Sequence, residues 1–520
     1  MTIKTKAGFK VEHRTYTTDL VHLLAGICLV PSALNTVIHG IQVDSRKVKK
    51  GDLFLALSGC HTASTDHIVE AIERGANAVV GEGKLFKGRV FEDGDAVELF
   101  VDDLKLQAGK IADRFFQSPS KDLSVIGVTG TNGKTSVTSY LAQYFSLNNI
   151  KSGFIGTLGY GLSDEKIYST DHTTPSVVDV HRYLAELRDQ QVKLVAIEVS
   201  SHGLSQGRVD GVVFEGAVFT NLSREHLDYH GTMKSYAEAK RALFRSDGLR
   251  FAVVNNDDPY AKDMLVDAPK GLNLIGYGIE SLSNIKAESC QFGSGISGGL
   301  NADVKTPLGH LSFESDLIGR FNLSNLLAVI GVAVAKGHTM GCLKEIQNVV
   351  SVVGRMEQVK VKNQARVVVD YAHTPDALKN ALEALRVHCT GRMFVVFGCG
   401  GDRDAGKRPE MAVIAENIAD KIVVTDDNSR FEDPKEIIDD ILAGFKSLNK
   451  VTVIHERADA IAYALNDADK HDLILIAGKG HETWQEVKGE RIVFSDMKEV
   501  KRCIEMMELR AQKKLEGEQQ

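Results

Sequence analysis

No apolar run in this 520-residue chain reaches the ~18 residues needed to span a bilayer, and no long basic block interrupts it. The first absence argues against insertion in a membrane. The second, together with a net charge of −7 from 62 Lys and Arg against 69 Asp and Glu, argues against a sequence-independent grip on nucleic acid. Paired cysteines are missing too. Seven cysteines, an odd number, are scattered without a C-x-x-C pair, which excludes a disulfide framework or zinc site and leads us to expect a reducing cytoplasm. Repeats and low-complexity tracts are absent. Residues 20–30 follow basic residues as a secretion signal would, but Asp19 and His22 interrupt them and no small-residue cleavage site follows. A short buried helix is the better expectation there.

What is present is ordinary globular material, 43% hydrophobic and 25% charged, enough for several cores. The polar ends, 1–15 and 513–520, read as solvated. Residues 38–104 carry strand-like runs at 38–43, 53–57 and 78–80 and a helix at 68–74 closed by Gly75, a small α/β module. A second block pairs an apolar strand at 123–128 with a helix at 135–146. A further helix is expected after Ser176, and strands at 194–199 and 216–220. The Gly- and Ser-rich segment 271–316 suggests an antiparallel appendage.

The last block alternates strands at 367–370, 393–397, 421–425, 451–454 and 472–477 with helical patterns. Such alternation indicates a mostly parallel sheet, and parallel sheets bind ligands beyond the carboxyl ends of their strands. Polar motifs at 371–375, 398–408, 426–430 and 478–482 each directly follow one of these strands.

Between the strand at 123–128 and its helix stands Gly127-Val-Thr-Gly-Thr-Asn-Gly-Lys-Thr135. Glycines let backbone N–H groups turn in around phosphate oxygens, and the helix N-terminus adds partial positive charge. Lys134 can reach the terminal phosphates of a nucleotide and Thr135 can hold Mg²⁺. Val128 replaces the first glycine of the standard loop. Downstream, Glu198 ends a strand and is placed to serve the same Mg²⁺ if that strand neighbours the loop strand. By spacing alone, His226 would be structural and Lys240 a solvated helix lysine.

Taken together, these motifs resemble the Mur ligase family, ATP-dependent amide-forming enzymes of peptidoglycan synthesis. The resemblance rests on Gly-Thr-Asn-Gly-Lys-Thr135, Glu-Val-Ser-Ser-His-Gly203, Thr-Asn-Leu-x-x-Glu-His-Leu-Asp228, Tyr-x-x-Ala-Lys240, Gly319-Arg-Phe-Asn-x-x-Asn325, Gly354-Arg-Met-Glu357 and Asp370-Tyr-Ala-His-x-Pro375, in family order over about residues 44–482. Val43-Asp44-Ser45-Arg46 with Gly-Asp-Leu-Phe54, and the C-terminal loops Gly398-Cys-Gly-Gly-Asp-Arg-Asp-x-Gly-Lys-Arg-Pro409 and Gly478-Lys-Gly-His-Glu482, resemble the type that adds the third residue of the stem peptide.

The resemblance implies an α/β protein of three domains. These are a small N-terminal α/β UDP-binding domain (1–105), a central P-loop ATPase domain with a mostly parallel sheet (106–352) and a C-terminal Rossmann-like domain that brings the amino acid (353–520). For ATP it implies Gly130, Thr131, Asn132, Gly133, Lys134, Thr135, Ser136, Asn325, Arg355, Asp370 and His373. For a UDP-muramoyl dipeptide it implies Val43, Ser45, Cys60, His61, Thr62, His172, Thr173, Thr174, Ser200, Gln206 and Arg208. Thr135 and Glu198 would hold one Mg²⁺, and His226 with Lys240, carbamylated by CO₂, a second. Lys134, His226 and Lys240 are the implied catalytic residues.

The implied reaction transfers the γ-phosphate of ATP to a glutamyl carboxylate, and an amine then displaces phosphate from the acyl phosphate. The amine donor is read from Asp427-Asn428-Ser429-Arg430, where diaminopimelate-adding members carry Pro in place of Ser429. An arginine fork can grip the second carboxylate that distinguishes meso-diaminopimelate from lysine. Arg403, Gly478 and Glu482 complete the implied amino-acid site. His172 stands where Asn is more usual. The resemblance implies small-molecule partners only, a monomer, and closure of the C-terminal block over the central one. The rivals are a lysine-adding or folylpolyglutamate-type ligase and a P-loop protein using ATP as a switch.

Overall fold

A computed structural model describes residues 14–57, 65–83, 89–90, 96–163, 165, 167–294, 299–359 and 364–517. The chain forms two compact units, Met1–Asn284 with Ala328–His338, and Ile285–Leu327 with Thr339–Gln520.

The first unit contains two sheets. The smaller has five strands in the order Gly40–Gln42, Asp52–Ala56, Ala78–Glu82, Val97–Val101, Arg89–Val90. Its neighbours are parallel except the last pair. Leu53, Leu55, Val80 and Leu99 bury one face against Leu104, Ala108 and Ile111 of the helix Leu104–Phe115. The larger sheet runs in the order Gly159–Leu162, Ser152–Gly156, Leu194–Glu198, Ser124–Thr129, Gly216–Phe219, Phe251–Asn255, Asn273–Gly278. All its pairings are parallel except the first hairpin. Strand Ser124–Thr129 is central and buried on both faces, which is why it reads as an unbroken apolar run. Leu194–Glu198 lies beside it with Glu198 opposite Val128, the adjacency that the Mg²⁺ expectation required.

The second unit contains the antiparallel strands Ile285–Ser294, Gly299–Thr306 and Gly309–Ser315. Its main sheet has the order Glu357–Val359, Arg366–Asp370, Leu473–Ala477, Met393–Phe397, Lys421–Val424, Val451–Val453, parallel apart from the first pair. Helices Pro375–Arg386 and Lys407–Ile418 cover one face, and Arg457–Asp467 with Asp496–Gly517 the other.

Three expectations are corrected. The helix expected at 20–30 is a single turn, Leu20–Leu23; Gly26 at φ +66° and Pro31 stop it. The strand expected at 38–43 is broken into Val37–Ile38 and Gly40–Gln42, in different sheets. Within 271–316, Asn273–Gly278 is parallel to Phe251–Asn255, and the antiparallel part starts at Ile285. Strand Val97–Val101, inside the small sheet between Ala78–Glu82 and Arg89–Val90, was not expected at all. Among the described residues no helix is long and apolar enough to cross a membrane.

Candidate functional site

Strand Ser124–Thr129 delivers the chain into the loop 130–133, and helix Lys134–Leu147 leaves it. Gly130 is at φ +152°, and a Cβ there would overlap Thr220 Oγ1, so the loop is built for glycine at that point. Residues 220 and 221 hold it from the neighbouring strand end. Thr131 N–H donates to Asn221 O (2.8 Å), Asn132 N–H to Asn221 Oδ1 (2.9 Å) and Thr220 Oγ1 to Asn132 O (2.6 Å). Lys134 Nζ turns back to the carbonyls of Gly130 and Thr131, both at 2.8 Å. Thr135 and Ser136 are buried at the helix start.

Glu198 is 2% exposed and ringed by hydroxyls. Its carboxylate accepts from Thr135 Oγ1 (2.9 Å) and Thr157 N–H (2.8 Å), and lies 3.1 Å from Thr157 Oγ1. A carboxylate and a hydroxyl at the head of a phosphate-type loop are hard oxygen donors of the kind Mg²⁺ takes, so these residues fit that ion.

Lys240 is 1% exposed, not the solvated helix residue its spacing suggested. Burial, and then the charge of Lys134, push its ammonium well below the ordinary lysine value. Nζ donates to Gly130 O at 2.8 Å and lies 4.5 Å from the Tyr236 ring. His226, at φ +55°, packs edge-on against His202 at 4.7 Å and has Tyr236 at 6.2 Å. Tyr236 is thus the common neighbour of His226 and Lys240, and its hydroxyl is 3.2 Å from Thr131 Oγ1. Among the described residues no three His, Cys, Asp or Glu side chains are gathered as a metal cluster.

The residues expected to meet a dipeptide form one network beside Glu198. Thr157 Oγ1 lies 3.1 Å from Thr173 Oγ1. Thr174 Oγ1 donates to Glu198 O (2.8 Å) and is 3.0 Å from Ser200 Oγ. Arg208 donates to Thr174 O (2.8 Å) and to Gln206 Oε1 (2.9 Å). A polar cleft joins this region to the small sheet, lined by Val43 and Asp44 on one side and His172 and Ser176 on the other. Lys47 pairs with Asp171 at 2.7 Å at its edge. Burial, and then the Arg208 charge, lower the His172 imidazole. Ser45 does not face the cleft freely, since its hydroxyl donates to Glu70 at 2.6 Å. Cys60, His61 and Thr62 lie outside the described residues.

In the second unit, Arg355, Asp370 and His373 gather at Tyr371. The Arg355 guanidinium lies 4.6 Å over the Tyr371 ring, and His373 Nδ1 is 2.8 Å from Tyr371 O. Asp370 accepts from Met356 N–H at 2.7 Å; burial raises its carboxyl, partly offset by Arg355. Asn325, on the helix Arg320–Ala335, instead reaches Asn322 Oδ1 at 3.3 Å.

At the strand ends beyond Phe397, Val424 and Ala477 lie the other expected residues. Arg403 and Arg430 flank Gly400; a Cβ on Gly400 would lie 2.9 Å from Arg430 Nη1 and 3.9 Å from Arg403 Cγ. Arg430, at φ +51°, donates to Gly401 O (2.6 Å) and has Glu486 at 3.9 Å. Ser429 is buried behind it and accepts Glu432 N–H through its carbonyl (3.1 Å). Asn428 Nδ2 donates to Glu482 Oε2 at 2.9 Å. Gly478, at φ +119°, passes so close to Asp427 that a Cβ would lie 2.7 Å from Oδ2. Burial would raise the Asp427 carboxyl, but Arg457 and Lys479 hold it below the usual carboxylate range. Sequence reasoning passed over Thr157, Tyr236, Lys479 and Arg457. Tyr236 and Lys479 lay inside recognised motifs, without a role of their own.

Residues 37–100 match the catalytic domain of the Mur ligase family, 128–333 the Mur ligase middle domain and 354–480 the Mur ligase glutamate ligase domain. A UDP-N-acetylmuramoyl-L-alanyl-D-glutamate–2,6-diaminopimelate ligase of Coxiella burnetii is 44% identical over 476 residues, 90% of this chain and 96% of that one. The ligase of the same name from Pseudomonas aeruginosa is 45% identical over 479 residues, 91% of this chain and 96% of its own. A solved structure of a ligase of that name superposes with a TM-score of 0.69 at 34% identity, covering 95% of this chain and 99% of that one. The MurF ligase of Thermotoga maritima in complex with ADP shares the fold, with a TM-score of 0.60 at 21% identity over 92% of this chain and 99% of that one.

Proposed function

The chain belongs to the Mur ligase family, and on that premise we propose that it joins meso-2,6-diaminopimelate to UDP-N-acetylmuramoyl-L-alanyl-D-glutamate in peptidoglycan precursor synthesis. It is an ATP-dependent ligase forming an amide bond, with ADP and phosphate as products. The observation that carries the choice of amino acid is the pair Arg403 and Arg430 flanking Gly400, close in the chain fold to Asn428 and Glu482. Two guanidinium groups suit carboxylates, and one carboxylate suits an ammonium.

A carboxylate and an amine do not condense unaided in neutral water. The glutamyl carboxylate oxygen attacks the γ-phosphorus, the bond to the bridging oxygen of ADP breaks, and an acyl phosphate results. The neutral amine then adds to the acyl carbon, and the tetrahedral intermediate expels phosphate as the nitrogen loses a proton. In this reading the loop 130–136 binds the ATP phosphates and Lys134 neutralises charge on them. The network of Thr173, Thr174, Ser200, Gln206 and Arg208 orients the dipeptide, while Val43, Ser45, Cys60, His61, Thr62 and His172 serve the UDP-sugar part. Asn325, Arg355, Asp370 and His373 serve the rest of the nucleotide.

Thr135 and Glu198 would hold one Mg²⁺, and His226 and carbamylated Lys240 a second; bound there, the ions supply positive charge to phosphate and carboxylate oxygens. Lys240 suits carbamylation because burial favours its neutral amine, the form that adds to CO₂. The setting we propose is the cytoplasm, with the chain acting as a monomer on small molecules.

Phosphate release measured with the UDP-muramoyl dipeptide, ATP and Mg²⁺ tests this, with diaminopimelate and L-lysine assayed in parallel. Release that depends on diaminopimelate is the expected result. Equal or faster turnover with lysine overturns the assignment.

A further inference from the structure

Under the loop 427–430 lies a fully buried lysine to which the chemistry above gives no task. Lys479 has no exposed surface. Its Nζ donates to Asn428 Oδ1 and to Glu482 Oε2, each at 2.9 Å, with Asp427 Oδ1 at 3.9 Å and the Trp484 ring at 5.8 Å. Buried lysines are rare unless paired, and among the described residues the partners of this one belong to the loop, the 478–482 turn and their immediate neighbours.

Its hydrogen bonds settle which way the Asn428 amide faces. Asn428 Oδ1 accepts from Lys479 Nζ and also from Glu486 N–H at 3.0 Å. Both partners can only donate, so the atom facing them is the oxygen, and its two lone pairs are filled. Nδ2 therefore faces the other way. One of its hydrogens goes to Glu482 Oε2, and the second is the hydrogen Asn428 can offer to a ligand. Glu482 Oε2 in turn is engaged by Lys479 and Asn428, which makes Oε1 the oxygen Glu482 can offer.

We infer that Lys479 is the positioning residue of the amino-acid site, fixing the polarity of Asn428 and the aim of Glu482 so that a donor and an anionic acceptor stand side by side. That pair fits a carbon bearing both a carboxylate and an ammonium, as the end of a diamino diacid does. The ε-carbon of lysine, with its ammonium alone, satisfies half of it. Lys479 touches no substrate in this scheme; it acts through Asn428 and Glu482. The inference rests on the reading of residues 427–430 as the amino-acid site.

The test is steady-state kinetics of the full chain with Lys479→Met and Lys479→Gln. The expected result is a KM for diaminopimelate raised about 10-fold or more, the size of a lost hydrogen bond to a charged group. The KM values for ATP and the UDP-dipeptide stay within about twofold, and preference for diaminopimelate over lysine falls. Loss of active enzyme with every KM unchanged would mark Lys479 as merely structural and overturn the inference. A crystal structure of the wild-type complex gives a second reading independent of variant folding. It should place Asn428 Nδ2 against a substrate carboxylate, and Oδ1 against a substrate ammonium would overturn the proposal. Failure of the wild type to use diaminopimelate overturns the proposed function instead, which keeps the two failures distinct.

Discussion

Lys134 and Lys240 donate to the same acceptor, the carbonyl oxygen of Gly130, each over 2.8 Å. Two ammonium groups converging on one oxygen repel, and the more buried one gives up its proton more readily. That is Lys240, whose ammonium is depressed by burial and then by Lys134. A neutral amine is a nucleophile for CO₂, and a carbamate formed there would be an anion, which would turn the repulsion of Lys134 into attraction.

Activity should therefore depend on CO₂. Enzyme stripped of CO₂ and assayed in degassed buffer is expected to lose phosphate release and recover it when bicarbonate is added. Intact-mass measurement of freshly purified protein under mild conditions should show one added CO₂ that is absent from Lys240→Ala. That variant is expected to lose about 10²-fold or more in kcat, as sites lose when a group stabilising charge is removed. Full activity of degassed enzyme would refute the carbamate.

Gly130→Ala tests the loop geometry. Its Cβ would meet Thr220 Oγ1, and its φ of +152° is one that side chains avoid. Thr220 cannot simply turn aside, because its hydroxyl donates to Asn132 O at 2.6 Å. We expect a loss of about 1–3 kcal/mol in stability and a larger loss in ATP affinity, read by thermal unfolding and nucleotide titration. Gly130→Ala with Thr220→Ala should recover part of the stability and little of the affinity, since the loop's anchor is gone.

Much of this arrangement was legible in the sequence because each polar motif directly follows an apolar strand. The loop after Ser124–Thr129 and the 427–430 segment after Lys421–Val424 were found that way. Strand Val97–Val101 was not, because its Glu98 is buried and breaks the apolar run. Lys240, Lys479 and Arg457 were misread or passed over for the same reason. A charged residue on a helix or in a turn looks solvated in one dimension, and only the fold shows the carbonyl or carboxylate waiting for it. Family resemblance recovered Lys240, but it assigned nothing to Lys479 or Arg457.

Arg430→Lys keeps the charge and removes the fork. Arg430 is half-held already, through Nη1 to Gly401 O, so its remaining N–H groups are those that can grip a carboxylate as a pair. A lysine there offers a point charge without that geometry. The KM for diaminopimelate should rise about 10-fold or more, with nucleotide affinity unchanged and turnover of lysine little altered. A uniform loss across all three substrates would contradict the role.

Arg457 links the loop 427–430 to the last helix, and its removal should change how stability falls in acid. Arg457 and Asp496 are both fully buried and joined by two hydrogen bonds, Nε to Oδ1 at 2.7 Å and Nη2 to Oδ2 at 2.8 Å, while Nη1 lies 4.0 Å from Asp427. Breaking one side of such a pair strands a buried charge and costs about 3–5 kcal/mol, so Asp496→Asn and Arg457→Met should both lower the unfolding midpoint in urea. The pH dependence separates them. Asp427 is held below the usual carboxylate range against the upward pull of burial, by Arg457 first and Lys479 second. A carboxyl depressed on folding contributes stability that is present above its unfolded value and is lost as pH falls through its folded value. Without Arg457 the folded value rises, so the acid loss in Arg457→Met should begin at higher pH than in the wild type. Asp496→Asn keeps the guanidinium beside Asp427 and should leave that onset where it is in the wild type. Identical acid profiles for the two variants would show that Arg457 does not act on Asp427.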